Sequence, residues 1–122
     1  MENRKEKKQD CIFCKIIAGE IKQDIIYSDD NFVVMPDKFP VADGHCLIIP
    51  RKHYATILDM PSTLGTELLG IVKAQSLRLI GEKKADGIKL VNNNFEAGGQ
   101  IVPHFHLHII PEKKGIKRTS HV

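Results

Sequence analysis

The stretch Ser62-Thr63-Leu64-Gly65-Thr66-Glu67-Leu68-Leu69-Gly70-Ile71-Val72-Lys73-Ala74-Gln75-Ser76-Leu77-Arg78-Leu79-Ile80 is the main helix of the chain by its length and period. Leu64, Leu68, Ile71, Val72 and Leu79 fall on one apolar stripe, with Glu67, Lys73 and Arg78 available for the other face. Gly65 and Gly70 weaken its first half. On either side of it the chain offers short apolar runs bounded by turn residues, which are strand signals. Residues 25–28 and 32–35 enclose Asp29-Asp30-Asn31 as a hairpin, and 36–44, with two prolines, two aspartates and a glycine, form a loop. Residues 45–50 form a strand ended by Pro50. On the other side come a strand at 88–92, a polar glycine-bearing loop at 93–100 and a last strand at 101–111. A short helix is expected at 11–18, with Asp10 as N-cap and Gly19 as stop. One long helix against about five strands with hairpin spacing predicts an α+β fold with an antiparallel sheet.

The 122 residues fit one domain. The net charge of +3 is carried by chain ends: Arg4, Lys5, Lys7 and Lys8 lead, and Lys113, Lys114, Lys117 and Arg118 close. This predicts charged tails at 1–10 and 113–122 around a domain at 11–112. No aromatics are interleaved with these cations, so no specific nucleic-acid partner is expected. The leading residues lack the apolar stretch of a secretory signal, and no apolar run is long enough to cross a bilayer. A cytoplasmic protein is expected, with no membrane partner. Three cysteines make no disulfide framework, which favours reduced thiols and, for the close pair, a metal.

The run His104-Phe105-His106-Leu107-His108-Ile109-Ile110 carries the chemistry. In a strand, alternate residues share a face about 6.5 Å apart, so three imidazoles line one side while Phe105, Leu107 and Ile109 face the long helix. A hydrophobic core requires no such row, and the imidazole pKa suits reactions near neutral pH. Two readings stay open on the residues alone. The three histidines hold one metal, which needs a bend in the strand, or they have separate tasks, one as nucleophile. The preceding Asn93, Asn94, Gly98, Gly99 and Gln100 offer amides and backbone N–H groups suited to phosphate oxygens. They favour phosphorus chemistry.

Cys11-x-x-Cys14 at a helix start presents two sulfurs to one ion and needs two more ligands to close a zinc site. His53 and one histidine of the run are the candidates, with His45 and His121 to spare. A closed site would be structural, tethering the first helix to the sheet. Cys46 lies inside an apolar strand and reads as a buried small residue.

On these residues the sequence resembles the histidine triad family, whose signature alternates histidine and apolar positions as 104–110 do. The similarity runs from Cys11-Ile12-Phe13-Cys14-Lys15-Ile16-Ile17-Ala18-Gly19-Glu20-Ile21 through Gly44-His45-Cys46-Leu47-Ile48-Ile49-Pro50-Arg51-Lys52-His53 to Pro111, and the opening block is similar to zinc-bearing, Hint-like bacterial and archaeal members. The resemblance implies a homodimeric α+β protein, dimerised across the long helix and a neighbouring strand. It also implies a nucleotide phosphoramidase or dinucleoside-polyphosphate hydrolase working through a covalent nucleotidyl-histidine. On that resemblance His106 is the nucleophile and His108 its neighbour near the phosphate. Asp37 binds ribose hydroxyls; Asn93, Gly99 and Gln100 belong to the phosphate site. Cys11, Cys14, His53 and His104 hold a structural zinc. Three positions depart from the pattern: Ile101 where many relatives have Ser or Thr to assist the leaving group, Phe95 where many have Gly, and Glu112 where Arg is common. Ile101 also makes room for a competing expectation, a non-catalytic purine-nucleotide-binding module.

Overall fold

A computed structural model describes residues 10–116. Most of the two expected tails, with Arg4, Lys5, Lys7, Lys8, Lys117, Arg118 and His121, lies outside the described residues. Five strands form one sheet: β1 (Tyr27–Ser28), β2 (Phe32–Pro36), β3 (Cys46–Pro50), β4 (Gly87–Val91) and β5 (Leu107–Glu112). Their order is β1-β2-β3-β5-β4 and every pairing is antiparallel. Two helices complete the fold, α1 (Ile12–Ile17) and α2 (Gly65–Gly81), the latter entered through a 3₁₀ turn at Ser62–Leu64. The expected α+β class, with an antiparallel five-stranded sheet, one long helix and a short first helix, is the fold observed.

Period-2 alternation sorts β2 and β3 onto two faces. Phe32, Val34, Cys46 and Ile48 pack with Ile109 against Ile71, Leu79 and Ala85 on the α2 side. Val33, Met35, Leu47 and Ile49 pack with Cys11 and Phe13 on the α1 side. Both faces are covered, so these strands read as unbroken apolar runs. The hairpin turns on Asp29, whose Oδ1 accepts from Asn31 N–H at 2.9 Å and Phe32 N–H at 2.7 Å. Gly44 enters β3 at φ +100°, and a Cβ there would lie 2.7 Å from Leu79 Cδ2, so glycine is what lets α2 press against this turn.

Two expectations need correction. The N-cap of α1 is Cys11, not Asp10: the Cys11 sulfur accepts the Cys14 N–H at 3.4 Å, tying the cap to the metal-ligand candidates. The last strand begins at Leu107 instead of 101. The ladder with β3 ends at Ile48↔Leu107. Beyond it Pro50 and Pro103 have no N–H to offer, and the Phe105 N–H goes to the Tyr54 carbonyl at 2.6 Å. Two of the three histidines therefore sit on irregular chain held by the 51–56 loop, not on the sheet.

Candidate functional site

The three imidazoles still share one side, because His108 pairs across from Leu47, a residue of the α1 face. All three are buried, His104 completely. The Phe13 ring of α1 stands edge-on to His104 at 5.7 Å and to His106 at 5.1 Å. The single-metal arrangement of the three histidines is not formed: His104 and His108 belong to two different clusters of ligand-type atoms, and His106 to neither.

The first cluster gathers Cys11, Cys14, His53 and His104, whose ligand atoms all lie within 4.8 Å of one another. His104 Nδ1 is 3.3 Å from Cys11 Sγ and 3.5 Å from Cys14 Sγ, and His53 Nδ1 is 3.2 Å from Cys14 Sγ. Metal bonds of about 2.3 Å to sulfur and 2.0 Å to nitrogen at tetrahedral angles put such atoms about 3.5 Å apart. The proton on His104 completes the fit. Its Nε2 lies 2.9 Å from the Pro50 carbonyl, which can only accept, so Nε2 carries the hydrogen and Nδ1 turns a lone pair toward the sulfurs. Two cysteines and two histidines in this arrangement suit zinc and leave no fifth protein position open. No disulfide joins Cys11, Cys14 or Cys46. Cys46 is a buried core residue on the other face, and burial pushes its thiol up to about 11, against the pull of Arg78.

The second cluster joins Asp37, His45 and His108. Its sides are 2.9 Å from His45 Nε2 to His108 Nδ1, 3.3 Å from His45 Nε2 to Asp37 Oδ2, and 3.5 Å from His108 Nδ1 to Asp37 Oδ2. Here the backing group is a donor: the Val41 N–H gives to His45 Nδ1 at 3.1 Å, so the hydrogen of that ring is on Nε2 and points into the triangle. The first cluster thus presents lone pairs to its centre and the second presents a proton. The hydrogen bond with His108, helped by the Phe39 N–H and the nearby imidazoles and opposed by burial, holds the Asp37 carboxyl below the usual carboxylate range. His45 was set aside in the sequence as spare. Its alternation with Leu47 and Ile49 puts it on the α1 face, and that signal was available.

Between the clusters stands His106. Its Nδ1 lies 2.8 Å from the His104 carbonyl, so Nδ1 carries the hydrogen and Nε2 keeps the lone pair. Burial lowers its pKa, with the hydrogen bond to His104 opposing, which favours the neutral ring. A neutral imidazole with a fixed tautomer and a free-electron-pair nitrogen is a nucleophile or a base.

The 92–100 loop starts beside the His106 backbone, where Asn92 donates to its carbonyl. Asn93 stacks its amide over Gly99, whose φ of +93° leaves the side a Cβ would occupy facing that amide. The N–H groups of Gly98 and Gln100 are bonded to the Phe95 carbonyl and that of Gly99 to the Glu96 carbonyl, so these donors hold the loop's own shape. Gln100 is buried: its Oε1 accepts from Phe95 N–H at 2.8 Å and its Nε2 donates to Ala55 O at 2.6 Å, bracing this loop against the 51–56 loop. Phe95 has φ 67° and ψ 160°, a conformation suited to glycine, at the position where the sequence departs from its resemblance. Ile101 is 92% exposed and offers no hydroxyl.

Comparison with known proteins shows the family of this chain. The HIT domain family model matches residues 18–115. An uncharacterized HIT-like protein of Saccharolobus solfataricus is 40% identical over 101 residues, covering 83% of this chain and 73% of that protein. The adenylylsulfatase HINT3 of Arabidopsis thaliana is 38% identical over 105 residues, covering 86% of this chain and 53% of that protein. The crystal structure of a zinc-bound histidine triad family protein from Mycobacterium smegmatis superposes with a TM-score of 0.85 at 30% identity, over 91% of this chain and 81% of that one.

Proposed function

From the premise that this chain belongs to the HIT domain family, we propose that it hydrolyses nucleotide phosphoramidates or dinucleoside polyphosphates through a covalent nucleotidyl-His106. The observation that carries this is the bond from His106 Nδ1–H to the His104 carbonyl, which leaves Nε2 as a lone pair on a buried ring. Nε2 forms a bond to the α-phosphorus as the bond to the amine or phosphate leaving group breaks and that group takes the electron pair. Water then attacks the same phosphorus, the P–Nε2 bond breaks, the pair returns to Nε2 and the water proton is released. His108, held by His45 and Asp37, supports the phosphate from the next position. Asp37 accepts from the ribose hydroxyls, Asn93 and Gly99 bound the phosphate site, and Gln100 keeps that loop in place. The adenylyl substrate in the name of the Arabidopsis relative supports a purine nucleotide.

Zinc on Cys11, Cys14, His53 and His104 would be structural, clamping α1 to the loop after β3. Thiols in this role need a reducing compartment, so we place the protein in the cytoplasm; among the described residues no helix is long and apolar enough to cross a membrane. We assign the homodimer contact to the outer side of α2, where Leu69, Leu77 and Ile80 are exposed, and to the edge strand β4, where Leu90 is. Light scattering should then give twice the chain mass, and a monomer would contradict that assignment.

Incubation with an α-labelled adenosine phosphoramidate and an early quench should leave acid-labile label on His106. Binding of the nucleotide with no label and no product is the result that favours the non-catalytic binding module. Followed against pH, kcat/KM should rise as the His106 proton leaves, because the neutral ring is the reactive form. Since burial lowers that pKa, the rise should centre below the ordinary imidazole value of about 6.5. A midpoint above it would contradict the assigned environment.

A further inference from the structure

The β4–β5 ladder stops at Val91↔His108, two residues short of the row's middle histidine. From there a chain of side-chain amides replaces it. The Ile57 N–H donates to Asn94 Oδ1 at 2.8 Å, Asn94 Nδ2 donates to Asn92 Oδ1 at 2.6 Å, and Asn92 Nδ2 donates to the His106 carbonyl at 3.1 Å. Both ends fix the orientation of the amides. A backbone N–H can only donate, so Asn94 must turn its oxygen to Ile57; a carbonyl can only accept, so Asn92 must turn its nitrogen to His106. The middle link then joins a donor to an acceptor without conflict. All the donors run one way, an arrangement in which each bond polarises the next. By sequence Asn92 ends a strand and Asn94 is one of the loop amides suited to phosphate oxygens; in the fold the Asn94 amide is spent on Ile57 and Asn92 instead.

We propose that Asn92 and Asn94 are positioning residues for His106, a role that rests on the nucleophile reading above and deepens it. The His106 ring is held from one side by its Nδ1 bond to the His104 carbonyl. Its backbone has left the sheet, and the Asn92 amide is what holds the carbonyl of that same residue. With ring and carbonyl both tied, Nε2 has one reach toward phosphorus. A displacement of about 1 Å at a reacting atom costs on the order of 10²-fold in rate. The chain also anchors the nucleophile to the 54–60 loop, which Gln100 and Phe105 bond from their own positions.

The test is isosteric. Asn92→Asp removes the donor and sets a carboxylate oxygen against the His106 carbonyl, while its other oxygen still accepts from Asn94. It should lower kcat by about 10²-fold with KM and the affinity for the mononucleotide product changed by less than about threefold. Asn94→Asp breaks the link one step back and should cost about tenfold, and the double variant should be no slower than Asn92→Asp, because the chain acts as a unit. An Asn92→Asp enzyme within about twofold of wild-type kcat, or single losses that multiply in the double variant, would overturn the proposal. Should wild type turn over no nucleotide, the nucleophile reading fails, and imidazole ¹H–¹⁵N correlation then decides the positioning role. The His106 Nδ1–H resonance should shift or broaden in Asn92→Asp; an unmoved resonance rejects it.

Discussion

Replacing His106 by alanine is expected to lower kcat by about 10⁵-fold while nucleotide affinity changes by less than about fivefold. The size follows from the role. Deleting a nucleophile removes the covalent route altogether, whereas the ribose and phosphate contacts assigned to Asp37 and Asn93 stay in place. The fold should survive. His106 is buried and its loss leaves the His104 carbonyl without that donor, a cost of about 1–3 kcal/mol. Label from an α-labelled phosphoramidate should be absent from the variant and present in wild type. Turnover in His106→Ala at the wild-type rate would refute the mechanism, and labelling of another histidine would move the nucleophile.

Removing zinc is expected to have the second-largest effect, and on stability first. At free zinc a thousandfold above its Kd the metal stabilises the fold by about 4 kcal/mol. For a domain of this size that corresponds to roughly 15 °C in Tm. The proposed ligands come from α1, from the loop after β3 and from the chain before β5, so an ion held there would close three segments at once. The pH dependence has one sign: both sulfurs bind the ion as thiolates, so acid competes for them and the stabilisation falls as pH falls. Activity should decline next, because Phe13 reaches His104 and His106 only while α1 is docked. Calorimetric melting with and without chelator, beside metal analysis, measures this. A transition that the chelator leaves unmoved contradicts a structural zinc. So does a metal lost in His108→Ala and kept in Cys11→Ser.

Much of the fold was legible because each cue was local. The period of 62–80 specified α2, Gly19 ended α1 with its positive φ, and the Asp29 turn announced the hairpin. The start of β5 was not legible. It depends on the Phe105 N–H choosing the Tyr54 carbonyl, a partner 51 positions away that no window of sequence contains. The N-cap was missed for a related reason: Asp10 is the better cap by propensity, but the Cys11 sulfur already sits against the Cys14 N–H. Alternation with Leu47 and Ile49 shows the face of His45, but its partner His108, like the His106 carbonyl that Asn92 meets, comes beside it only in the folded sheet.

The histidine row shows where the two kinds of information divide. The sequence alone says which side chains are available and on which face they lie, since alternation along extended chain is a property of the backbone. It could not determine which ring nitrogen of each histidine carries a proton. His104 has a carbonyl behind it, from Pro50; His106 has the carbonyl of His104; His45, beside His108, has the N–H of Val41. A carbonyl draws the ring hydrogen to itself and leaves the far nitrogen as a lone pair, while an N–H sends the hydrogen to the far side. The tertiary structure supplied those partners. It thereby divided the row: His104 faces two sulfurs, His106 keeps Nε2 as a lone pair, and His108 lies against His45 and a carboxylate.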